Sequence, residues 1–343
     1  MISFTNKKRF FFLLSLLVYC GTIHAFYKNH SWQPTATLRY RITYALAKDI
    51  VDQKKRPDSI NILPIELQNF IQLLIDSNLN YGKAFRKAVA HMDIYSDDDI
   101  KNLLEAGCNV NIKDGKGQFP LYYAIRYNMH WLFDLLLEHG AHVNMHNEYN
   151  ETPLYIATYY QRIYFIKKLL QRGAKPNIGN KMNETPLMLA ASLGNKKIVS
   201  LLLKNGAHVS IKKLMNKRTA LFNSVKNNHF AIVTLLLNYG ADPNECVIDN
   251  YRQLTPIIQI AAQNGSNAII EALLNAGADS NQKNSKGLTA LMKAVQAKQI
   301  DTVELLLEYG ANKSIEDVFG NTALDYAVEQ NNQAIIELLT DKA

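Results

Sequence analysis

Acidic residues are nearly missing from one stretch of this chain. Between Gln171 and Phe230 only Glu184 stands against eleven Lys and Arg, a local charge of +10. The overall +8 hides this, because residues 231–343 hold seven basic and fourteen acidic residues. Charge gathered in this way is a feature an anionic partner can read. Cysteine is scarce, with three in 343 residues, which excludes a dense disulfide framework. Catalytic signatures are absent too: there is no HExxH pair, no phosphate-cradling glycine loop and no nucleophile elbow. Acids such as Asp242 and Asp279 sit scattered at recurring positions instead of pairing. No enzyme class and no cofactor is supported. What remains is foldable: 48% of residues are hydrophobic and 20% charged, a balance unlike that of disordered chains. The length suits two ordinary domains or one long repeat array.

The N-terminus has its own character. Lys7, Lys8 and Arg9 precede an apolar run from Phe10 to Leu14, continued by Leu16, Leu17, Val18, Tyr19 and Cys20, with a small residue at Ala25. A basic start, a short apolar stretch and a small residue are the parts of a secretory signal peptide, here residues 1–25. The run is shorter than the roughly 20 residues a helix needs to cross a bilayer. Secretion or a periplasmic location is therefore expected. An uncleaved segment would instead anchor the chain to a membrane. A lipoprotein site at Cys20 fits poorly, because bulky Tyr19 precedes it.

A glycine then recurs at Gly107, Gly140, Gly173, Gly206, Gly240, Gly277 and Gly310, at spacings of 33, 33, 33, 34, 37 and 33. Each closes a leucine-rich run, such as Leu201-Leu202-Leu203 or Leu305-Leu306-Leu307, where glycine permits the left-handed backbone that ends a helix. A second phased element lies upstream: Thr152-Pro153-Leu154, Thr185-Pro186-Leu187, Thr219-Ala220-Leu221, Thr289-Ala290-Leu291 and Thr322-Ala323-Leu324. Thr suits a helix N-cap, and Pro suits the first turn, where no amide donor is missed. Ala124, Ala157, Ala190, Ala294 and Ala327 follow at a fixed offset and allow helices to approach closely.

This pattern resembles the ankyrin repeat, whose period is 33 residues and whose signature is T-P-L-H-x-A. The resemblance covers residues 82–343 and implies an all-α solenoid of stacked helix-turn-helix units with finger-like turns. About eight units are expected, seven clear ones from Asp114 onward and a degenerate first one from Gly82 to Asn111. Departures stand out. Tyr122, Tyr155, Met188, Phe222, Met292 and Asp325 occupy the motif His position, so the hydrogen bonds the family builds there must be replaced or lost. Extra residues before Thr219 and around Cys246–Pro256 imply a longer turn in the fifth unit. Thr255-Pro256 also sits one residue out of phase with Ala261, so the first helix there should start differently. The frame puts Cys108 and Cys246 four units apart. That is on the order of 30–40 Å at helix-packing spacing, against a bridging limit near 7 Å, so both are expected as sheltered free thiols.

Residues 26–81 show no repeat and read as a short helical cap. Thr37 opens one amphipathic helix carrying Leu38, Ile42, Leu46 and Ile50, and Pro64 opens another carrying Leu67, Phe70, Ile71 and Leu74. Leu63-Pro64-Ile65-Glu66-Leu67 looks like the start of an F-box adaptor. The Trp of that module's second half is missing, since none occurs between Trp32 and Trp131, and proline at a helix start explains the segment more simply.

The resemblance implies that partners are held on fingers and on the exposed ends of first helices. Those positions carry Arg126, Tyr127, Tyr149, Tyr159 and Tyr160, followed by Lys181, Lys212, Lys213, Lys217, Arg218 and Lys226. Tyrosine buries large area at small entropic cost and keeps a polar handle, which suits binding hot spots. The rings could instead pack between repeats in place of the missing His. Trp131 and Tyr164 fall on second helices, toward the opposite side. His139, His142 and His146 form a tight His cluster, yet His208 matches His142 two repeats later, which favours a tolerant repeat position over a metal site. The expected role is a monomeric protein-binding scaffold whose partner has an acidic surface. A secreted effector acting on a host protein is the alternative. Nucleic acid is disfavoured by export and by the tyrosines, and membrane contact is expected only through an uncleaved N-terminus.

Overall fold

Short helices, each with a specific start and stop, make up most of the described residues. The computed structural model describes residues 100–101, 103–104, 108–248 and 252–340. The expected signal peptide, the helical cap with its F-box-like segment, and the start of the degenerate repeat lie outside them. The chain divides into two compact units, residues 1–142 and 143–343.

In the first unit Ile100, Leu103 and Leu104 are helical and buried. A finger follows, closed by Asp114, whose Oδ1 accepts from the amides of Lys116 and Gln118 at 2.8 Å each. Helix α1 (Pro120–Arg126) starts with proline and α2 (His130–Glu138) packs back on it, burying Leu132, Phe133, Leu136 and Leu137. The N-cap of α1 is Phe119, which caps nothing and is instead fully buried. Here hydrophobic burial replaces the cap's hydrogen bond.

Six further pairs build the second unit: α3 (Pro153–Tyr159) with α4 (Ile163–Gln171), α5 (Pro186–Ser192) with α6 (Lys196–Lys204), and α7 (Ala220–Lys226) with α8 (Phe230–Asn238). Then come α9 (Ile257–Asn264) with α10 (Asn267–Asn275), α11 (Ala290–Gln296) with α12 (Ile300–Glu308), and α13 (Ala323–Glu329) with α14 (Gln333–Thr340). First helices pack on first helices from α3 to α13, and second helices on second helices from α6 to α14. Ala157, Ala190, Ala261, Ala294 and Ala327 are fully buried, with Ser224 in the same place in α7. A larger side chain at these positions would push the first helices apart.

The capping threonines act as their chemistry suggests. Thr152, Thr185, Thr219, Thr289 and Thr322 each accept from the amide three residues on, and Asp325 completes a capping box by reaching back to Thr322. Between the helices of each pair the backbone turns left-handed at one residue: Gln161, Gly194, Asn228, Gly265, Lys298 and Asn331. Such a turn is inexpensive for Gly and Asn and costs more for Gln or Lys.

Asparagine stitches one repeat to the next. Asn144 Nδ2 donates to the Gly173 carbonyl (3.1 Å) while its Oδ1 accepts from Lys175 N (2.8 Å), and Asn177 treats Gly206 and His208 likewise. Asn111 does the same for Gly140 and His142 within the first unit. Asn244 repeats the pattern with Gly277 and Asp279. Ser210 occupies the equivalent place in the fourth repeat and is too short for this bridge. Inside the fingers Asn147, Asn180, Asn284 and Asp317 each accept two amides of their own turn through Oδ1.

The fourth finger puts Lys213, a residue that cannot accept, where every other finger but the fifth, which has Val247, carries Asn or Asp. The inserted residue compensates: Asn216 takes the Arg218 amide and Lys217 adopts φ +54°. The fifth finger adds β structure to the expected all-helical solenoid. Strand β1 (Cys246–Ile248) pairs antiparallel with β2 (Leu254–Pro256), with Cys246 opposite Pro256 and Ile248 opposite Leu254. Pro256 thereby becomes the N-cap of α9, which explains the one-residue phase slip of Thr255-Pro256. Thr255 is held in a strand and has no helix to cap.

Candidate partner-binding surface

The missing motif His is replaced differently in nearly every repeat. Tyr155 is buried between α3 and the following finger; its hydroxyl donates to Glu184 Oε2 (3.0 Å) and accepts from Asn180 Nδ2 (3.2 Å). Burial first, then the nearby Glu184 charge, hold its phenol above the ordinary tyrosine range. Met188, Phe222 and Met292 fill the same position with buried apolar side chains. In the fifth repeat the position belongs to Gln259, which the phase slip conceals in the sequence. Its Nε2 donates to the carbonyls of Gln282 (2.9 Å) and Leu288 (2.7 Å), tying α9 to the next finger.

The two expectations for the tyrosines divide between positions. Tyr122 and Tyr155 serve packing and hydrogen bonding, whereas Tyr127, Tyr149 and Tyr159 are exposed. In the first unit Tyr127 is 52% exposed at the end of α1, stacked on Tyr123 at 6.3 Å. Arg126 lies over both Tyr122 and Tyr127 and donates to the Tyr122 hydroxyl (2.9 Å). Tyr123 in turn donates to Asp114 of its own finger, so the cluster is braced from below. In the second unit Tyr159 is 59% exposed at the end of α3 and meets Tyr160 edge to face at 5.1 Å. Tyr149 stands on a finger. Trp131 and Tyr164 are half-buried on the second helices α2 and α4, under the cations Lys101 and Lys168.

The basic residues are less uniform than their sequence suggests. Lys181, Lys212, Lys217 and Lys226 are exposed. Lys213 is half-buried and paired with Glu184 at 2.9 Å, which uses up the single acid of the basic stretch. Arg218 is also half-buried, its guanidinium 4.9 Å above the Phe222 ring. These two brace fingers, leaving the other four to present charge to solvent.

A buried acid goes unmarked by any sequence motif. Glu245 stands where three other fingers carry Ile178, Ile211 and Ile315, and it accepts from the Thr219 hydroxyl that caps α7. Burial raises its pKa to about 7, with Thr219 and Lys212 opposing the shift. Cys108 and Cys246 are free thiols, and burial pushes Cys108 up to about 12, which makes it a poor nucleophile. His139, His142 and His146 are exposed, and among the described residues no three His, Cys, Asp or Glu converge as a metal site. Among those residues no helix is long and apolar enough to cross a membrane.

A family model described as "Ankyrin repeats (3 copies)" matches residues 87–180, 165–246 and 255–343. No curated protein matches the chain. Among solved structures, one titled "Crystal structure of the ankyrin repeat domain of Bcl-3: a unique member of the IkappaB protein family" is similar. It has a TM-score of 0.58 and 24% identity, and the match covers 66% of this chain and 100% of that one. At that identity the likeness speaks for the fold. With matched repeats spanning well over half of its length, the chain belongs to the ankyrin-repeat family, whose members are in general protein-interaction scaffolds and not enzymes.

Proposed function

We propose that this protein is an exported scaffold that holds a protein partner on the first-helix ends and fingers of its repeats. The observation that carries the reading is Tyr159, more than half exposed beside Tyr160 at the end of α3. A large amphipathic ring braced by a neighbour loses little entropy on binding. Lys181, Lys212, Lys217 and Lys226 add exposed positive charge in the same unit, favouring a partner with an acidic surface. Arg126 and Tyr127 are the corresponding anchor in the first unit. Export rests on the composition of residues 1–25, and fractionation of producing cells with N-terminal sequencing of the mature protein tests it. For the binding face, partner capture is compared between the native chain and a Tyr159→Ala/Tyr160→Ala variant. Capture should fall at least about tenfold with an unchanged melting curve. Equal capture would remove this face from consideration.

A further inference from the structure

The most exposed large apolar side chains share one feature. Phe319 (78%) and Met215 (74%) lead, followed by Leu214, Val318 and Tyr149, and all five sit on fingers of the second unit. Backbone bonds between neighbouring fingers set them along one edge: Lys181 N donates to Tyr149 O (2.9 Å), Leu214 N to Met182 O (3.1 Å), Ile248 N to Asn216 O (2.9 Å), Ser285 N to Leu254 O (3.3 Å), and Val318 N to Lys286 O (3.1 Å). Basic residues flank them. Lys181, Lys212, Lys217 and Lys286 are exposed and form no ion pair among the described residues. Exposed acids beside these tips are Glu148 and Glu316, so the positive field is strongest at the third and fourth fingers. The fourth is the most pronounced, with Leu214-Met215 at its tip between Lys212-Lys213 and Lys217-Arg218.

We propose that this finger edge docks on an anionic membrane surface. Hot spots for a folded protein are centred in pockets and ringed by contacts that exclude water. These side chains instead stand singly or in pairs on three separate fingers, two and then three repeats apart, which is roughly 20 and 30 Å at helix-packing spacing. A flat interface accepts such a row, because each tip inserts on its own. Leu214, Met215, Val318 and Phe319 enter the acyl boundary and Tyr149 rests at headgroup level. The lysines reach anionic headgroups while their stems line the apolar layer. The edge shares Lys181, Lys212 and Lys217 with the protein-binding face but not Tyr159 and Tyr160, so the tip variants and the tyrosine variants test the two readings separately.

The test is co-sedimentation of the full chain with phosphatidylcholine vesicles, with and without about one third phosphatidylserine. Binding should need the anionic lipid and weaken with salt. Leu214→Glu/Met215→Glu should lower the vesicle partition coefficient at least about tenfold. Lys212→Ser and Lys217→Ser should each lower it about fivefold. All four positions are on the surface, and a melting curve confirms that each variant folds. No binding to anionic vesicles overturns the proposal. So does equal binding to both vesicle types, or binding that the tip variants leave intact, which would place the affinity elsewhere in the chain. Failure here with Tyr159-dependent protein capture preserved would leave the protein-binding reading standing.

Discussion

Lys213 Nζ lies 2.9 Å from Glu184 Oε1, with both side chains largely shielded, while the other oxygen of the same carboxylate takes the Tyr155 hydroxyl at 3.0 Å. One acid therefore joins three consecutive repeats. The basic stretch keeps this acid for a reason of packing: without it Lys213 would sit half-buried with no counter-charge, and Tyr155 would lose its acceptor.

Removing that acid should cost more than removing either partner. Glu184→Ala is expected to destabilise the chain by about 2 kcal/mol and Tyr155→Phe by about 1 kcal/mol. In urea unfolding the double variant should fall short of the sum by about 1 kcal/mol, the signature of a shared bond. Additive losses would mean that the two side chains act independently.

Glu245 should make stability depend on pH in an unusual direction. Its folded pKa of about 7 lies above the ordinary 4.5. The folded state therefore holds the proton more tightly than the unfolded one between these values. Its contribution is full below about pH 4.5 and is lost as pH rises through about 7, a change on the order of 3 kcal/mol at most. Glu245→Gln, which keeps the shape without the charge, should flatten this limb of the stability–pH curve relative to the native chain. A curve that Gln leaves unchanged refutes the assignment.

Gly194 should resist substitution. It turns left-handed at φ +73°, and an added Cβ would lie 2.7 Å from His229 Cε1. Gly194→Ala is expected to cost about 1–2 kcal/mol in denaturant unfolding. Adding His229→Ala should recover the steric part and leave the backbone part, so partial recovery is the outcome to look for.

Gln259 should be the least replaceable residue at the motif His position. Gln259→Met keeps the volume but strands the Gln282 carbonyl and leaves Leu288 O with only the Asn284 amide, and should cost about 2 kcal/mol. Met188→Leu, at the same repeat position with no such bonds, should cost under about 1.5 kcal/mol. The ranking is checked by urea unfolding of both variants.

The repeat frame is legible in spacing alone. A 33-residue period, capping threonines and closing glycines each reflect a local backbone requirement that holds wherever the unit recurs. The same reasoning places Thr152 and Thr185 correctly as caps and signals trouble at Thr255. What it misses depends on pairings that reach beyond a single helix or turn. The β1–β2 hairpin needs Cys246 and Pro256 to pair across the inserted turn, and Gln259 stays hidden because that insertion shifts its phase.

The candidate surface divides along the same line. Tyrosine at a finger or a helix end is visible in the sequence, but whether the ring faces solvent follows from what packs above it. Tyr155 is taken up by Glu184 and Asn180 of the next repeat, whereas Tyr159, four residues on, is not. The lysines sort themselves similarly: Lys213 is claimed by an acid 29 residues away, and Lys212 beside it stays in water. Local rules are enough to set helices, caps and repeat number, because each unit's backbone must satisfy itself. Exposure and pairing arise between units, where desolvation and distance decide, so they emerge only once the repeats are stacked.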